Sequence, residues 1–179
     1  MSVTTTIGGL IYNLSGDLTA TLVANSTTGT DVTPDMTGPT TDQWTISATS
    51  EYTESGQTAN AWKACTPGNE ATWTDKWSSA AQATASSPQV WTLQSSVPFQ
   101  VSSFHLISRP DANTLEPLNF QLIDNTNNGN VLYDSGSTPL TWQDGEEKSF
   151  AFTTTVTQSI SVRVTDSGSL CQFKVRLFS

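Results

Sequence analysis

The sequence predicts an all-β protein: an antiparallel β-sandwich of the jelly-roll type, preceded by an N-terminal β-hairpin or extended arm. Three observations lead there. Apolar residues recur at period two rather than 3.6, as in Phe104-His-Leu106 and Ile160-Ser-Val162-Arg-Val164. Ser and Thr together make up about 30% of the 179 residues while charged residues make up only 13%, a composition that suits β-branched outward faces and polar loops. Turn-forming clusters interrupt the alternating runs at short, regular intervals.

Taken in order, the chain opens on Ile7, Leu10, Tyr12 and Leu14, then Leu18, Ala20 and Leu22, alternating around Ser15-Gly16-Asp17. This pattern reads as a hairpin with one apolar face, which must pack on something to be stable. Asn25 to Thr41 has the composition of a linker. Residues 1 to 40 are therefore expected to form an anchoring arm and linker that docks on a partner, and residues 41 to 179 the sandwich. The alternative is that the arm only covers the sandwich edge. Beyond it, strands are expected at Val90-Trp91-Thr92-Leu93, Phe99-Gln-Val101, Phe104-His-Leu106, Phe120-Gln-Leu122, Phe150-Ala-Phe152, Ile160 to Val164 and Phe173 to Leu177. Ser55-Gly56, Pro67-Gly68-Asn69, Asp124 to Gly129, Asp134-Ser-Gly136, Asp144-Gly145 and Asp166-Ser-Gly168 supply the turns.

Charge and patterning exclude several classes. Seven Lys plus Arg against sixteen Asp plus Glu, a net charge of −9, with no basic cluster, leave no surface for nucleic acid. No apolar run approaches the roughly 18 residues of a membrane-spanning helix, and the N-terminus lacks the basic-then-apolar layout of a signal peptide. A soluble chain, not inserted in a membrane, is expected. Cys65 and Cys171 are read as buried small side chains, although a single bond between them is geometrically open. The single histidine, His105, should face outward by alternation with Phe104 and Leu106. No Gly-x-Ser-x-Gly, His-Glu-x-x-His or Cys-His signature is present. Glu51, Glu54 and the pair Glu146-Glu147 could serve as an acid and base but read as solvated charge. No catalysis is expected.

From Met36 onward an ordered set of motifs resembles the discoidin-like family, also called coagulation factor 5/8 type C or galactose-binding-like domains, which includes the family 32 carbohydrate-binding modules. Ile46-Ser-Ala48-Thr-Ser50-Glu51-Tyr52 is similar to the family's "S-A-S-S-E-Y" opening. Ala61-Trp62-Lys63-Ala64-Cys65, Gly68-Asn69 and Trp77-Ser78-Ser79 resemble "A-W-K-A-F-D-G-N…W-S-S". Pro88-Gln89-Val90-Trp91, Pro98-Phe99-Gln-Val101, Phe104-His-Leu106, Arg109 and Pro117-Leu-Asn119-Phe120-Gln-Leu122 follow in the family's order.

The resemblance implies an eight-stranded jelly roll that binds sugars on loops at one end. Arg109 matches the family's sugar-site arginine, so Arg109, Asp111 and Asn113 are the candidates for hydroxyl groups. Trp73 is the candidate stacking platform, with Asp75 beside it. Trp62, Trp77 and Trp91 match positions that are normally buried, where core packing accounts for them. Many members hold a structural calcium through an Asp in the "F-D-G-N" turn and a Glu near the end of the last strand. Here the turn is Cys65 to Asn69 and the strand carries Lys174 and Arg176, so calcium is disfavoured, though Glu70 or Asp75 could replace the Asp. No cofactor is expected.

The variant opening, with Ala61-Trp62-Lys63-Ala64, is also similar to domains of tailed-bacteriophage virion proteins. A shallow sugar site commonly binds near millimolar, about −4 kcal/mol. Many copies would raise this by roughly 10² to 10⁴. The expectation is thus a virion accessory protein, a tail fibre, baseplate part or capsid decoration made in the host cytoplasm. It would be multicopy or homo-oligomeric, anchored to other virion proteins by its arm and binding cell-surface or environmental glycans. The alternatives are a purely structural decoration or cementing protein, and a carbohydrate-binding module of a bacterial glycosidase system.

Overall fold

The computed structural model describes residues 3–7, 10–14, 29–66, 75–109 and 115–179, with side chains from residue 29 onward. Eleven strands appear among the described residues. They are β1 (Val3–Ile7), β2 (Leu10–Leu14), β3 (Trp44–Ala48), β4 (Thr53–Glu54), β5 (Gln57–Thr58), β6 (Trp77–Gln82), β7 (Gln89–Ile107), β8 (Pro117–Asp124), β9 (Asn130–Asp134), β10 (Glu147–Ser167) and β11 (Leu170–Phe178). One short 3-10 helix, Ala61–Cys65, interrupts them. The chain is an antiparallel β-sandwich, as the period-two pattern predicts.

Two long strands build both layers. The first half of β7 pairs with β3 and with the second half of β10, which continues to β8 and β9. The second half of β7 pairs with β11 and with the first half of β10, and β11 continues to β6. Register shifts in β10 between Ala151 and Thr155, and between Thr157 and Ser159, mark where the ladder bends from one layer to the other. Apolar residues at alternate positions then meet between the layers. Phe104 of one stands edge-on to Phe120 of the other at 5.5 Å, and Trp91 meets Phe173 at 6.5 Å. Trp77 and Trp91 are fully buried, and each indole N–H is satisfied, by the carbonyls of Ser50 and Ala61, both at 2.9 Å. The core reading of these two tryptophans holds.

The structure adds an N-terminal pairing that the alternation did not name: β2 pairs with β1, in the register Val3↔Leu14 to Ile7↔Leu10. The residues between these strands are Gly8-Gly9, a dipeptide that two-residue hairpin turns favour because both positions tolerate positive φ. The hairpin expected around Ser15-Gly16-Asp17 falls in 15–28, outside the described residues.

The linker-like stretch lies along the sandwich from residue 30. The N–H of Val32 donates to the Leu177 carbonyl at 2.9 Å, and Asp31 bridges Phe178 in antiparallel sense. Gly29 sits so close to the C-terminus that a Cβ would come within 2.5 Å of the Ser179 carbonyl oxygen. Met36, 1% exposed, enters the core, and its N–H meets the Cys65 carbonyl at 3.3 Å. β6 covers only the first part of β11's outer edge, and this segment covers the end, protecting the edge from foreign pairing.

Candidate functional site

Four segments converge on a cleft of about 240 Å³ lined by Tyr52, Glu54, Ser78, Arg109, Leu115, Leu170 and Gln172. Tyr52 is held from both sides: its N–H donates to the Ser78 carbonyl at 2.8 Å, and its carbonyl accepts from Ala59 at 2.9 Å. Glu54 follows in the β4–β5 hairpin, whose turn residues Ser55 and Gly56 both have positive φ, as a two-residue hairpin turn requires. Arg109 leaves the end of β7, where its carbonyl accepts from Gly145 at 3.0 Å. The Leu115 carbonyl accepts from the Gln172 N–H of β11 at 2.6 Å. The cleft thus offers an aromatic ring, a carboxylate, a guanidinium, an amide and a hydroxyl.

Of the residues selected from sequence, Arg109 lies in this cleft. Asp75 is described but does not line it; it stands just upstream of Ser78 on the segment that enters β6. Trp73, Asp111 and Asn113 lie outside the described residues. The stretch that carries Asp111 and Asn113 joins Arg109 to Leu115, two lining residues. Tyr52 and Gln172 were not selected. Tyr52 is part of the family-like opening, and its approach to Arg109 depends on pairing across the chain that no local pattern displays.

The acidic residues divide. Glu51 is structural: its carboxylate accepts from the Ala61 N–H at 2.7 Å and from the Asn60 amide at 3.0 Å, holding the start of the 3-10 helix. Glu146 accepts from the Gln143 N–H and from Lys148; burial pushes its carboxyl up, and these bonds more than reverse that, holding it below the ordinary value. Both carboxylates are thus engaged in local hydrogen bonds rather than simply solvated.

His105 corrects the sequence reading. It lies on the outer sheet face, yet it is 7% exposed rather than solvated. The Phe178 ring covers it at 4.4 Å, and Nδ1 contacts a Glu147 oxygen at 2.6 Å. Alternation specifies the face of a strand, not what covers that face.

A second cavity, about 280 Å³, lies beside Cys65 and Lys174, the positions at which the resemblance implies calcium ligands. Asp31, Asp35, Cys65, Thr66, Lys174 and Arg176 line it. Lys174 is 4% exposed, so the cavity that two aspartates line is also lined by a buried lysine and by Arg176, whose guanidinium lies 3.7 Å from Glu147. A divalent cation needs six to eight oxygens in a net anionic cage, and this donor set does not fit it. Among the described residues no three His, Cys, Asp or Glu side chains cluster as metal ligands, while Gly68, Asn69 and Glu70 lie outside them. Cys65 and Cys171 are both free and buried, and burial pushes both thiols well above the ordinary range.

No family model matches the chain, and no curated protein matches it. Solved structures do. A CBM32 module from Clostridium perfringens, in complex with GalNAc-β-1,3-galactose, superposes with a TM-score of 0.60 at 20% identity, over 76% of this chain and 95% of that one. The family 32 module of Clostridium perfringens NanJ, in complex with galactose, gives 0.58 at 20% identity, over 76% and 93%. The family 32 carbohydrate-binding module of Streptococcus pneumoniae EndoD gives 0.57 at 12% identity, over 84% and 99%. At such identities the likeness is one of fold: this chain has the β-sandwich on which those modules are built.

Proposed function

We propose that this chain is a non-catalytic carbohydrate-binding protein that takes a single sugar residue in the cleft of Tyr52, Glu54, Ser78, Arg109 and Gln172. The observation that carries the reading is the convergence, at one end of a rigid sandwich, of an aromatic ring with planar polar groups. A pyranose presents an apolar face suited to a ring and hydroxyls suited to a guanidinium, carboxylate or amide. At about 240 Å³ the cleft is smaller than the roughly 300 Å³ of ordinary small-molecule pockets, which favours a terminal sugar over a long chain. Galactose and GalNAc-β-1,3-galactose, bound by two of the similar structures, are the first ligands to test.

A glycan array probed with a multimerised form checks this. Galactose-terminated glycans should bind, and Arg109→Ala and Tyr52→Ala should each weaken binding by about tenfold or more, the loss of one good hydrogen bond or stacking contact, with the melting temperature unchanged. Silence of the wild-type protein across the array would overturn the reading in favour of a purely structural role.

The finer assignment, to a multicopy virion accessory, rests on the likeness of the opening sequence. Since residues 30–36 are bound to the sandwich, the docking part of the arm is confined to residues before 29. Deleting residues 2 to 28 should leave the sandwich folded and abolish incorporation into particles; normal incorporation refutes the anchor.

A further inference from the structure

Charge is unevenly spread over this acidic chain. Residues 94–104, 125–133 and 149–162 hold no Asp, Glu, Lys or Arg, although the whole chain carries a net charge of −9. The fold brings these three stretches together where β7 and β10 bend and the turn between β8 and β9 closes. Thr157 pairs with Phe99, the Gln158 amide donates to the Ser96 carbonyl at 3.3 Å, and the Asn127 amide donates to the Val156 carbonyl at 3.4 Å. Among the described residues three large apolar side chains are exposed, Val97 at 49%, Val131 at 45% and Val156 at 58%, and all three lie on this uncharged end. β8 starts beside Leu115 of the cleft and finishes here, so the two regions sit at opposite ends of the sheet.

The same end holds a sheet edge that the chain leaves open. Other edges are covered by the chain itself: the Tyr52 N–H donates to the Ser78 carbonyl of β6 at 2.8 Å, the Ile46 N–H of β3 donates to the Pro39 carbonyl at 2.9 Å, and the segment at Val32 runs along the end of β11. β9 terminates its sheet and pairs with β8, and its other side has no backbone partner among the described residues. Such an edge is a template for another strand, and Asn130-Val-Leu-Tyr-Asp134 carries no Lys or Pro to prevent addition. Its five residues, with a register shift between Leu122 and Ile123 in the ladder behind them, suit a strand equally short. We propose that the outer edge of β9 pairs antiparallel with β9 of a second copy of this chain, covering Val131 in the contact. Two observations select a second copy as the occupant. Centred on Leu132, the strand is its own complement: Val131 meets Tyr133 and Asn130 meets Asp134 across the two-fold axis, an amide against a carboxylate, so no like charges face each other. Over the rest of an acidic surface like charge opposes self-association, whereas the stretches beside β9 are uncharged. So short a contact makes the dimer weak and concentration-dependent. Two copies so joined carry two clefts, which adds avidity to a shallow sugar site, but the pairing does not rest on the cleft being one.

Sedimentation of the full chain from about 1 to 500 μM tests this, since weak contacts populate in that range. Wild type should show a reversible monomer–dimer equilibrium. Raising the salt from about 0.05 to 0.5 M should leave the dimer unchanged or strengthen it, because the contact lies among uncharged residues while the acidic remainder is screened. Amide exchange within residues 130–134 should slow as protein concentration rises. Val131→Lys, at an exposed position, should weaken the dimer by about tenfold or more, since an edge lysine opposes strand addition. Ser86→Lys makes the same change of charge in the exposed turn closed by Thr84 and Ser87, and should leave the dimer intact. A wild type that stays monomeric throughout, a dimer that high salt dissolves, or one that Val131→Lys weakens no more than Ser86→Lys does would overturn the proposal. If deleting residues 2 to 28 abolishes the dimer and Val131→Lys does not, the N-terminal arm joins the copies and β9 does not. Should Val131→Lys not fold, the salt response and the amide exchange of wild type decide the same question.

Discussion

The indole N–H of Trp77 donates to the backbone carbonyl of Ser50 at 2.9 Å, joining the centre of the core to the segment between β3 and β4 that leads into the cleft. Ser50 is fixed further by its hydroxyl, which donates to Gln89 at 2.6 Å and accepts from the Ala80 N–H at 3.0 Å. Tyr52 lies just beyond. The ring of Trp77 is in turn braced edge-on by Phe173 at 4.9 Å. A side chain with no exposed surface thus sets the height of a cleft residue.

Replacing Trp77 by Phe keeps an aromatic ring but leaves a void and an unsatisfied carbonyl at Ser50. The loss should be about 2–5 kcal/mol, combining the cavity and the orphaned acceptor. Calorimetry should show the drop in melting temperature, and glycan affinity should fall even though Trp77 touches no ligand.

Asp124 should govern part of the acid sensitivity. It is buried at the end of β8, and its carboxylate accepts from the Thr157 hydroxyl at 2.6 Å, the Thr126 N–H at 3.0 Å and the Asn127 side chain. Burial pushes its carboxyl up, but these donors outweigh burial and hold it below the ordinary value. The folded value is lower than the unfolded one, about 3.9, so the stabilisation is complete above that pH and is lost as pH falls through the folded value. Asp124→Asn should cost about 1–3 kcal/mol at neutral pH and remove this acid limb from a stability–pH curve.

Because Lys174 and Arg176 line the cavity beside Cys65, neither EDTA nor millimolar calcium should shift the melting temperature by more than about 1 °C. A calcium-dependent rise of several degrees would show that the 67–70 turn supplies a cage independent of these cations.

The thiols should be inert in the native state. With both Cys65 and Cys171 buried and their ionisation suppressed, a thiol reagent should titrate neither at neutral pH. In denaturant without reductant both should react; no reaction under those conditions would reveal a bond between them.

Much of the architecture was legible because strand alternation is local. Phe104, Leu106, Phe120, Val162 and Val164 were read from period two, and all are buried. The turn at Ser55-Gly56 was equally legible, since few residues besides Gly tolerate positive φ. Arg109, chosen through its place in an ordered motif set, lines the cleft proposed as the binding site. Tyr52 and Gln172 were not chosen, because they reach the cleft from the segment entering the β4–β5 hairpin and from β11, which are distant from Arg109 in sequence.

What the sequence by itself determined is the sandwich: its all-β class and its buried aromatic face, since these follow from residue type and local period. The tertiary structure alone decided that β1 pairs with β2, that Met36 belongs to the core and that His105 is covered. Each depends on which segments meet, and that is settled by long-range burial rather than by any preference written into neighbouring residues.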